Sequence, residues 1–346
     1  MSALGHGGAA RPEAERAEVD NTLELRRLTV AFPTRDGLAV AVNDVSLSIA
    51  PGQVTGIVGE SGSGKTMICR AILGLVPRPG AILAGEILWR GRDLASASPS
   101  GLRRVRGREV AMIFQDPSSA LDPLFTIGDQ IAEPLRAHRG LSRSAAETEA
   151  IELLGRVGIP SPRERVNAYP HQLSGGMRQR AMIAIAISCK PALVLADEPT
   201  TSLDVTIQDQ ILGLLAELRD EYGMSMVLVS HDLGVIAQNA DTVAVMYSGS
   251  IVETAPTAKI FSATRHPYTA ALIQALPTIH VQERRSGLEP IPGQPPSLDD
   301  LPPGCPFGPR CQYATDACQA VDMTRVAVGD GHDSACPFAE TVMVAS

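Results

Sequence analysis

The chain has 346 residues, of which 44% are hydrophobic and 20% are charged, and its formal net charge is −8. This length allows one large domain with an appendage or two medium-sized domains, and the apolar fraction excludes a wholly disordered chain. The acidic balance argues against a protein that coats nucleic acid, so we expect no nucleic-acid partner.

The hydrophobic runs are too short for a membrane-spanning segment. The longest, residues 181–187 (AMIAIAI), falls far short of the roughly 20 residues that a transmembrane helix needs. Residues 1–21 have little to bury and lack the apolar core of a signal peptide, so we expect a disordered tail on a protein that is not exported. Any association with a membrane is therefore expected to depend on a partner.

The hydrophobic pattern after this tail predicts an α/β domain. LELRRLTVAF and AVAVNDVSLSI alternate apolar with polar residues, as half-buried antiparallel strands do. VTGIVG (54–59) predicts a short buried strand, which a glycine-rich turn connects to a helix. This order is typical of a domain with a parallel sheet. Residues 116–172 are helical in character, and ALVLAD (192–197) and MSMVLVSH (224–231) predict further buried strands.

A phosphate-binding loop is predicted between the first buried strand and the helix. GESGSGKT (59–66) matches the pattern GxxxxGK[ST], whose backbone N–H groups point at phosphate oxygens. Lys65 is expected to reach the β- and γ-phosphates, and Thr66 to offer a hydroxyl to Mg²⁺. The candidate phosphate-binding residues are Gly59, Ser61, Gly62, Gly64, Lys65 and Thr66. The strand before the loop and the helix after it argue against an accidental glycine-rich turn.

Two acidic residues end the second buried strand. We expect Asp197 to orient the Mg²⁺ and Glu198 to polarise a water molecule in line with the γ-phosphate. The alternative is a buried strand that ends in solvated acids, which the phosphate loop upstream makes less favourable.

A second candidate phosphate site follows the helical region. Ser174, Gly175 and Gly176, in LSGGMRQR, start a helix whose N-terminus can bind an anion. Because residues 59–66 already provide one phosphate site, a second makes sense across a dimer. LSGG together with the phosphate loop resembles the ATP-binding-cassette (ABC) family. The resemblance implies a P-loop NTPase fold, with a RecA-like core, an antiparallel β subdomain and a helical subdomain. It also implies that two cassettes pair head to tail around ATP.

The same resemblance assigns roles to four further residues. Gln115, in MIFQDP, matches the glutamine that senses Mg²⁺ and contacts the membrane partner. Asp204, in the Ser202-Leu203-Asp204 loop, matches the segment that crosses the dimer interface. His231 matches the histidine that contacts the γ-phosphate, so Glu198, His231 and Gln115 are the catalytic candidates. Phe32 is the candidate for stacking on adenine, and a core position in the sheet is the alternative.

The cassette resemblance covers residues 22–255, with the helical subdomain at about 116–172. Residues 256–346 resemble the C-terminal extension of one branch, the ATP-binding subunits of bacterial dipeptide and oligopeptide importers, which also handles nickel. HPYT (266–269), IPGQPP (291–296), GCPF (304–307), Arg310-Cys311 and Ala335-Cys336-Pro337 carry this resemblance.

The branch implies an ATP-hydrolysing subunit that energises peptide import. It would lie peripherally on the cytoplasmic face of the bacterial membrane. Its expected partners are two permease subunits, a second ABC ATPase subunit that is a paralogue or a copy, and an extracytoplasmic substrate-binding protein. Import of nickel or another small solute is an alternative. A soluble ABC ATPase of DNA repair is a further alternative, although the chain has no long coiled-coil insertion.

Four of the six cysteines lie in the last 42 residues: Cys305, Cys311, Cys318 and Cys336. Their spacings are wider than the CxxC-type pairs of structural zinc sites and suit a [4Fe–4S] cluster, with zinc as the alternative. Disulfides or free thiols are the third interpretation. Cys69 and Cys189 lie in apolar stretches, where we expect inert core residues.

Overall fold

The computed structural model describes residues 21–35, 37–201, 203–276 and 291–341. Most of the predicted tail (1–20) and Ser202 therefore lie outside the described residues. The strands, in chain order, are β1 (Leu23–Pro33), β2 (Leu38–Ile49), β3 (Val54–Val58), β4 (Ala81–Trp89), β5 (Arg92–Asp93), β6 (Val110–Ile113), β7 (Leu193–Asp197), β8 (Ser225–Ser230), β9 (Thr242–Tyr247), β10 (Ser250–Pro256), β11 (Val326–Gly329) and β12 (His332–Ser334).

Most of the α-helices follow β6, and five of them lie between β6 and β7. They are α1 (Lys65–Ile72), α2 (Pro99–Val105), α3 (Pro117–Ala120), α4 (Ile127–Arg139), α5 (Arg143–Arg156), α6 (Pro162–Arg165), α7 (Gly175–Ile187), α8 (Val205–Tyr222), α9 (Leu233–Asn239), α10 (Thr257–Ser262) and α11 (Pro267–Gln274). None of the helices in the described part of the chain combines the length and apolarity needed to cross a lipid bilayer.

The strands form two sheets. The first is antiparallel, in the order β2-β1-β4-β5, so the two alternating segments of the sequence pair as predicted. The second has the order β11-β12-β10-β9-β3-β8-β7-β6. Its strands from β9 to β6 are parallel to one another, which confirms the predicted parallel sheet, and β10, β12 and β11 extend it in antiparallel fashion.

The parallel strands are buried on both faces. Successive side chains of a strand point to opposite faces, and in β7 Leu193 and Leu195 join one core cluster whereas Val194 and Ala196 join the other. One cluster lies between this sheet and the antiparallel sheet with α1. The other packs against the helical region. This double burial explains why the β7 sequence is continuously apolar.

A helical region, α3 to α7, is inserted between β6 and β7. That residues 116–172 form a separate helical subdomain stays a prediction. The helices of this region start at short polar side chains: Asp116, Thr126 and Ser142 each accept a hydrogen bond from a backbone N–H in the first turn of α3, α4 and α5. Such caps satisfy N–H groups that a helix cannot pair internally.

The C-terminal extension, residues 256–346, adds β11 and β12 to the edge of the second sheet. β12 pairs with β10, and a buried polar group lies between them. Glu253 of β10 is fully buried, and its carboxylate accepts from Thr264 Oγ1 at 2.9 Å and lies 2.7 Å from His332 Nε2. Because a buried carboxylate needs such partners, this cluster fastens the extension to the sheet.

Gly56, in the middle of β3, packs against α9 so closely that it has no room for a side chain. A Cβ at this position would lie 2.5 Å from the Cγ2 of Ile236, which is fully buried. We predict that Gly56→Ala lowers the free energy of unfolding by about 1–3 kcal/mol, because α9 must move away from the sheet. Equilibrium unfolding in urea measures this.

The same substitution at Gly213, an exposed position of helix α8, is the control. A Cβ at Gly213 would meet nothing within 4 Å. Gly213→Ala is expected to raise the free energy of unfolding by about 0.5–1 kcal/mol, because alanine favours the helix. If both substitutions changed the free energy of unfolding in the same direction, the predicted clash of a side chain at Gly56 would be contradicted.

Candidate functional site

The candidate site lies at the carboxyl ends of three adjacent parallel strands. The phosphate loop follows β3, Asp197 ends β7 and is followed by Glu198, and His231 follows β8. The register places Val58 beside Ser230 and Asp197 beside Val229, so the strands end at the same level. Residues far apart in the sequence therefore meet at one edge of the sheet.

The phosphate loop needs glycine at two positions for different reasons. Gly64, the residue before α1, has φ 103°, and a Cβ there would lie 2.2 Å from the carbonyl oxygen of Ala41. At Gly59 a Cβ would lie 2.0 Å from the carbonyl oxygen of Met246. The loop therefore presses against two neighbouring strands. Ser61 and Gly62 are exposed at its tip.

Lys65 is buried beneath this loop. Its Nζ donates to the carbonyls of Gly59 and Glu60, each at 2.8 Å. Burial lowers the pKa of Lys65, and the nearby acids Glu198 and Asp197 act in the opposite direction. An ammonium has three N–H donors, so one remains for a phosphate oxygen.

Thr66 and Asp197 form a pair of oxygens next to the loop. Thr66 Oγ1 donates to Asp197 Oδ1 at 2.9 Å, and Asp197 is only 2% exposed. Burial raises the pKa of Asp197, whereas the hydrogen bond from Thr66 lowers it. Hydroxyl and carboxylate oxygens are the ligands that Mg²⁺ prefers, so this pair fits that ion.

Glu198 is the point at which the catalytic candidates converge. Its Oε2 accepts from Gln115 Nε2 at 2.9 Å and from Thr201 Oγ1 at 2.8 Å, and it lies 3.2 Å from His231 Nδ1. The backbone of Glu198 has φ 46°, and its N–H donates to Val229 at 3.0 Å. The sequence analysis missed Thr201, which lies three residues after Glu198 with no motif of its own.

The second candidate phosphate site begins α7. Ser174 is the N-cap of this helix, and its Oγ accepts from the N–H of Met177 at 3.3 Å. Ser174 and Gly175 are exposed, and Gly176 is half-buried. Asp204 caps α8 in the same way, accepting from Ile207 at 3.0 Å. Among the residues that the structure describes, neither cap makes a hydrogen bond to the phosphate loop.

Helix α7, which starts within the LSGG motif, is nevertheless linked by a hydrogen bond to the loop that holds Glu198. Gln179 is 2% exposed, and its Nε2 donates to the carbonyl of Pro199 at 2.6 Å. Arg178 reaches the other side, donating to Ser118 of α3 at 3.2 Å. The start of α7 is thereby linked to the segments that hold Glu198 and Gln115.

Phe32 lies in β1, where it pairs with Ala39 of β2. The side chain is half-buried, and its ring lies so close to Gly80 that a Cβ there would be 2.3 Å from Cε1. The ring therefore has a packing role, while part of it remains accessible. Its assignment to adenine stays a prediction.

Known protein families and relatives match this chain over most of its length. The family described as "ABC transporter" matches residues 42–201, and the family described as "Oligopeptide/dipeptide transporter, C-terminal region" matches residues 252–318. A putative peptide import ATP-binding protein of Brucella melitensis is 48% identical over 324 residues, which cover 91% of this chain and 96% of the relative. The dipeptide transport ATP-binding protein DppD of Escherichia coli is 47% identical over 316 residues, with the same coverage.

This chain belongs to the ABC transporter ATP-binding family. Among solved structures, the dimeric bacterial ABC transporter cassette MJ0796 aligns with a TM-score of 0.62 and 28% identity, covering 68% of this chain and 98% of that one. The same cassette in a post-hydrolysis state, bound to ADP and Pi, aligns equally well. These matches confirm the predicted P-loop NTPase fold and identify the chain as an ABC ATPase.

In this ABC ATPase the C-terminal extension reaches the phosphate loop, which the sequence analysis did not anticipate. Tyr268 Oη accepts from the backbone N–H of Glu60 at 2.8 Å. The guanidinium of Arg310 donates to both carboxylate oxygens of Glu60, at 2.7 and 2.9 Å. Tyr268 belongs to the motif HPYT, and Arg310 belongs to the pair Arg310-Cys311. In the sequence, both motifs indicated only the resemblance to the importer branch.

The four C-terminal cysteines line one small cavity of the ABC ATPase, together with His266, Phe307 and other residues. All six cysteines of the chain are free of disulfides in this structure. Burial raises the pKa of Cys305 and of Cys311, and burial together with the other three thiols raises the pKa of Cys336 to about 11. Among the described residues, no group of three or more His, Cys, Asp or Glu side chains has an arrangement that could hold a metal ion.

Substitution of the buried Asp197 is expected to affect the stability of the fold and the binding of MgATP differently. Because burial raises its pKa, the ionised carboxylate destabilises the folded chain at every pH above that raised pKa. We predict that Asp197→Asn unfolds at an equal or higher temperature without nucleotide. The affinity for MgATP is expected to fall about ten- to a hundredfold, because a magnesium partner is lost.

Thermal unfolding with and without MgATP measures both effects. Asp209→Asn in α8 is the control, since Asp209 is exposed and the substitution removes the same charge. Asp209→Asn should change neither the unfolding temperature without nucleotide nor the affinity for MgATP. A strong loss of stability in Asp197→Asn without nucleotide would contradict the prediction.

Proposed function

We propose that this ABC ATPase energises the import of dipeptides and oligopeptides through a membrane transporter. The observation that carries the proposal is the match over 91% of the chain to proteins named for peptide import and dipeptide transport. A second observation supports it, since the extension matches the C-terminal region of oligopeptide and dipeptide transporters. Nothing comparable favours a DNA-repair ATPase, and nickel import becomes an outcome of the test below.

ATP binding is assigned to the loop at residues 59–66. Its backbone N–H groups and Lys65 bind the phosphates, and the N–H that Lys65 has left serves the β- and γ-phosphates. Thr66 and Asp197 hold Mg²⁺ directly or through water, which their 2.9 Å hydrogen bond supports. When bound, Mg²⁺ neutralises charge that develops on the phosphate oxygens.

Hydrolysis is assigned to Glu198, acting as a general base toward water. Three groups, Gln115, Thr201 and His231, all meet Oε2 of its carboxylate. In the described part of the chain, Oε1 has no hydrogen-bond partner. The three contacts therefore orient the carboxylate and leave one oxygen for water. The half-exposed His231 is placed to contact the γ-phosphate.

The assembly is assigned to a head-to-tail pair of cassettes with two permease subunits. Ser174 and the start of α7 are exposed and make no hydrogen bond to their own phosphate loop, which supports binding to a partner's nucleotide. Asp204 is placed at the same interface. Leu124 and Phe125 are 80% and 54% exposed beside the segment that carries Gln115, and they suit contact with a permease. A substrate-binding protein completes the transporter.

Two cap serines provide a matched test of this function. Ser174 and Ser142 both cap helices, accepting from N–H groups at 3.3 and 3.2 Å. Either change to alanine is expected to cost about 1 kcal/mol of stability. We predict that only Ser174→Ala strongly lowers ATP hydrolysis and the uptake of labelled dipeptide by the complete transporter in vesicles.

Glu198→Gln serves as the fully inactive reference in this assay. Equal activity of Ser174→Ala and Ser142→Ala would contradict the dimer assignment. Uptake of nickel without uptake of dipeptide would replace the proposed substrate.

The four-cysteine cavity is proposed to bind a [4Fe–4S] cluster, with a zinc ion as the alternative. All four thiols line the same cavity, and four cysteine thiolates are the usual ligands of such a cluster. The described side chains are not arranged around a metal ion, so binding requires the four thiols to move closer together. His266 lines the cavity as well, and its Nε2 is buried without a hydrogen-bond partner. A buried polar atom without a hydrogen-bond partner can mark a position next to a bound ion or water molecule. The thiols must lose their protons on binding, and the burial that raises the pKa of Cys305, Cys311 and Cys336 opposes this loss.

Metal analysis of anaerobically purified protein tests this site. We expect about four irons per chain and visible absorbance, both lost in Cys318→Ser. Cys189→Ser is the control, because Cys189 lies outside the cavity and donates to Pro134 in the helical region. About one zinc per chain without visible absorbance would favour the alternative, and a metal-free protein would refute both.

A further inference from the structure

Residue 60 of the phosphate loop is held from three sides. Tyr268 accepts its N–H at 2.8 Å, Lys65 donates to its carbonyl at 2.8 Å, and Arg310 binds its carboxylate through two hydrogen bonds at 2.7 and 2.9 Å. Two of the three holders come from the C-terminal extension. We call Tyr268 and Arg310, with Glu60 between them, the clamp.

The two extension residues of the clamp are themselves firmly placed. The Arg310 side chain is 5% exposed, compared with 25% for Glu60. It also donates to the carbonyl of Pro292 at 2.8 Å and to Tyr247 Oη at 3.2 Å. The rings of Tyr247, Tyr268 and Phe307 pack together, with centroids 4.5–5.4 Å apart. Because these groups restrict each other, little freedom is lost when they hold Glu60.

The three holders differ in what else they bind. Lys65 is the only one that the loop pattern also assigns to the phosphates, through the N–H that its two carbonyl contacts leave free. Tyr268 and Arg310 lie outside that pattern and have no such second task. A charge-assisted bidentate pair is stronger and more directional than a single neutral hydrogen bond. The clamp therefore holds the loop in shape whether or not Lys65 is bound to a phosphate.

We propose that Tyr268 and Arg310 are positioning residues for ATP binding, and that the C-terminal extension thereby preorganises the phosphate loop. The extension also flanks the loop physically, since residues 295–298 and the loop line a common cleft. The clamp acts before chemistry, because it touches neither Glu198 nor Asp197. Its loss weakens nucleotide binding and leaves the hydrolytic step of bound ATP intact.

The test compares ATP binding and hydrolysis in single variants of the full chain. Arg310→Met keeps a long side chain but cannot bind the carboxylate, and Tyr268→Phe removes only the hydroxyl. We expect the Kd and KM for ATP to rise of the order of tenfold for Arg310→Met, equivalent to about 1.4 kcal/mol, and severalfold for Tyr268→Phe. The kcat should stay within about twofold, which a general loss of folded protein does not produce.

Arg325→Met is the matched control. Arg325 is another arginine of the extension, half-buried, and it donates to Thr254 at 2.8 Å and to the carbonyl of Ser46, away from the phosphate loop. It should lower the unfolding temperature without changing the Kd for ATP. Equal changes of Kd in Arg310→Met and Arg325→Met would overturn the proposal.

A double-mutant cycle with Glu60→Gln covers the case in which one variant folds poorly. In the clamp, Glu60→Gln and Arg310→Met should raise the Kd for ATP together by much less than the product of their separate effects. Independent effects would overturn the proposal, as would wild-type affinity in both Arg310→Met and Tyr268→Phe. If the unmodified chain does not bind ATP, the assigned ATPase function fails instead, so the two failures are distinguishable.

Discussion

The parallel pairing of β3, β8 and β7 is the constraint on which the whole site depends. In a parallel sheet the carboxyl ends of neighbouring strands lie on one edge, and here the register brings Val58, Ser230 and Asp197 to nearly the same level. The next residue in each case is the start of the phosphate loop, His231 or Glu198. The chemistry of the site therefore follows from strand order, and no long loop is needed to gather its residues.

Burial divides the site into a fixed part and an accessible part. Lys65 and Asp197 are 4% and 2% exposed, so the groups assigned to phosphate and magnesium are held in the interior. The side chains of Glu198 and His231 are 13% and 58% exposed. Asp197 and Glu198 are neighbours in the chain, yet the left-handed backbone of Glu198 turns its side chain out of the strand pattern. This local strain separates Asp197, the proposed magnesium partner, from Glu198, the proposed general base.

Much of the site could be predicted because its residues form short contiguous patterns. The phosphate loop, the acids that end β7 and the start of α7 each combine a recognisable residue sequence with a strand or helix beside it. Lys65 and Thr66 could be assigned from the loop pattern alone. Thr201 could not, because a single threonine near a motif carries no distinguishing signal.

The clamp and the edge strands escaped prediction for another reason, which is that they depend on contacts between distant segments. Neither Tyr268 nor Arg310 follows a strand of the parallel sheet, and both had meaning only as parts of C-terminal motifs. β12 is three residues long, and its place beside β10 depends on the buried Glu253 and His332. Short segments of this kind have no periodicity from which a pairing partner could be derived.

The separation of Glu60 from Arg310 also has a consequence for how the protein is made. The two residues lie 250 positions apart, and β3 finds its neighbours only in β8 and β9. A ribosome thus releases the phosphate loop long before it releases Arg310, which binds the carboxylate of Glu60. During synthesis the central strand β3 therefore stays unpaired until β8 and β9 emerge, and the phosphate loop lacks its arginine contact for a further stretch of chain, until residue 310 emerges.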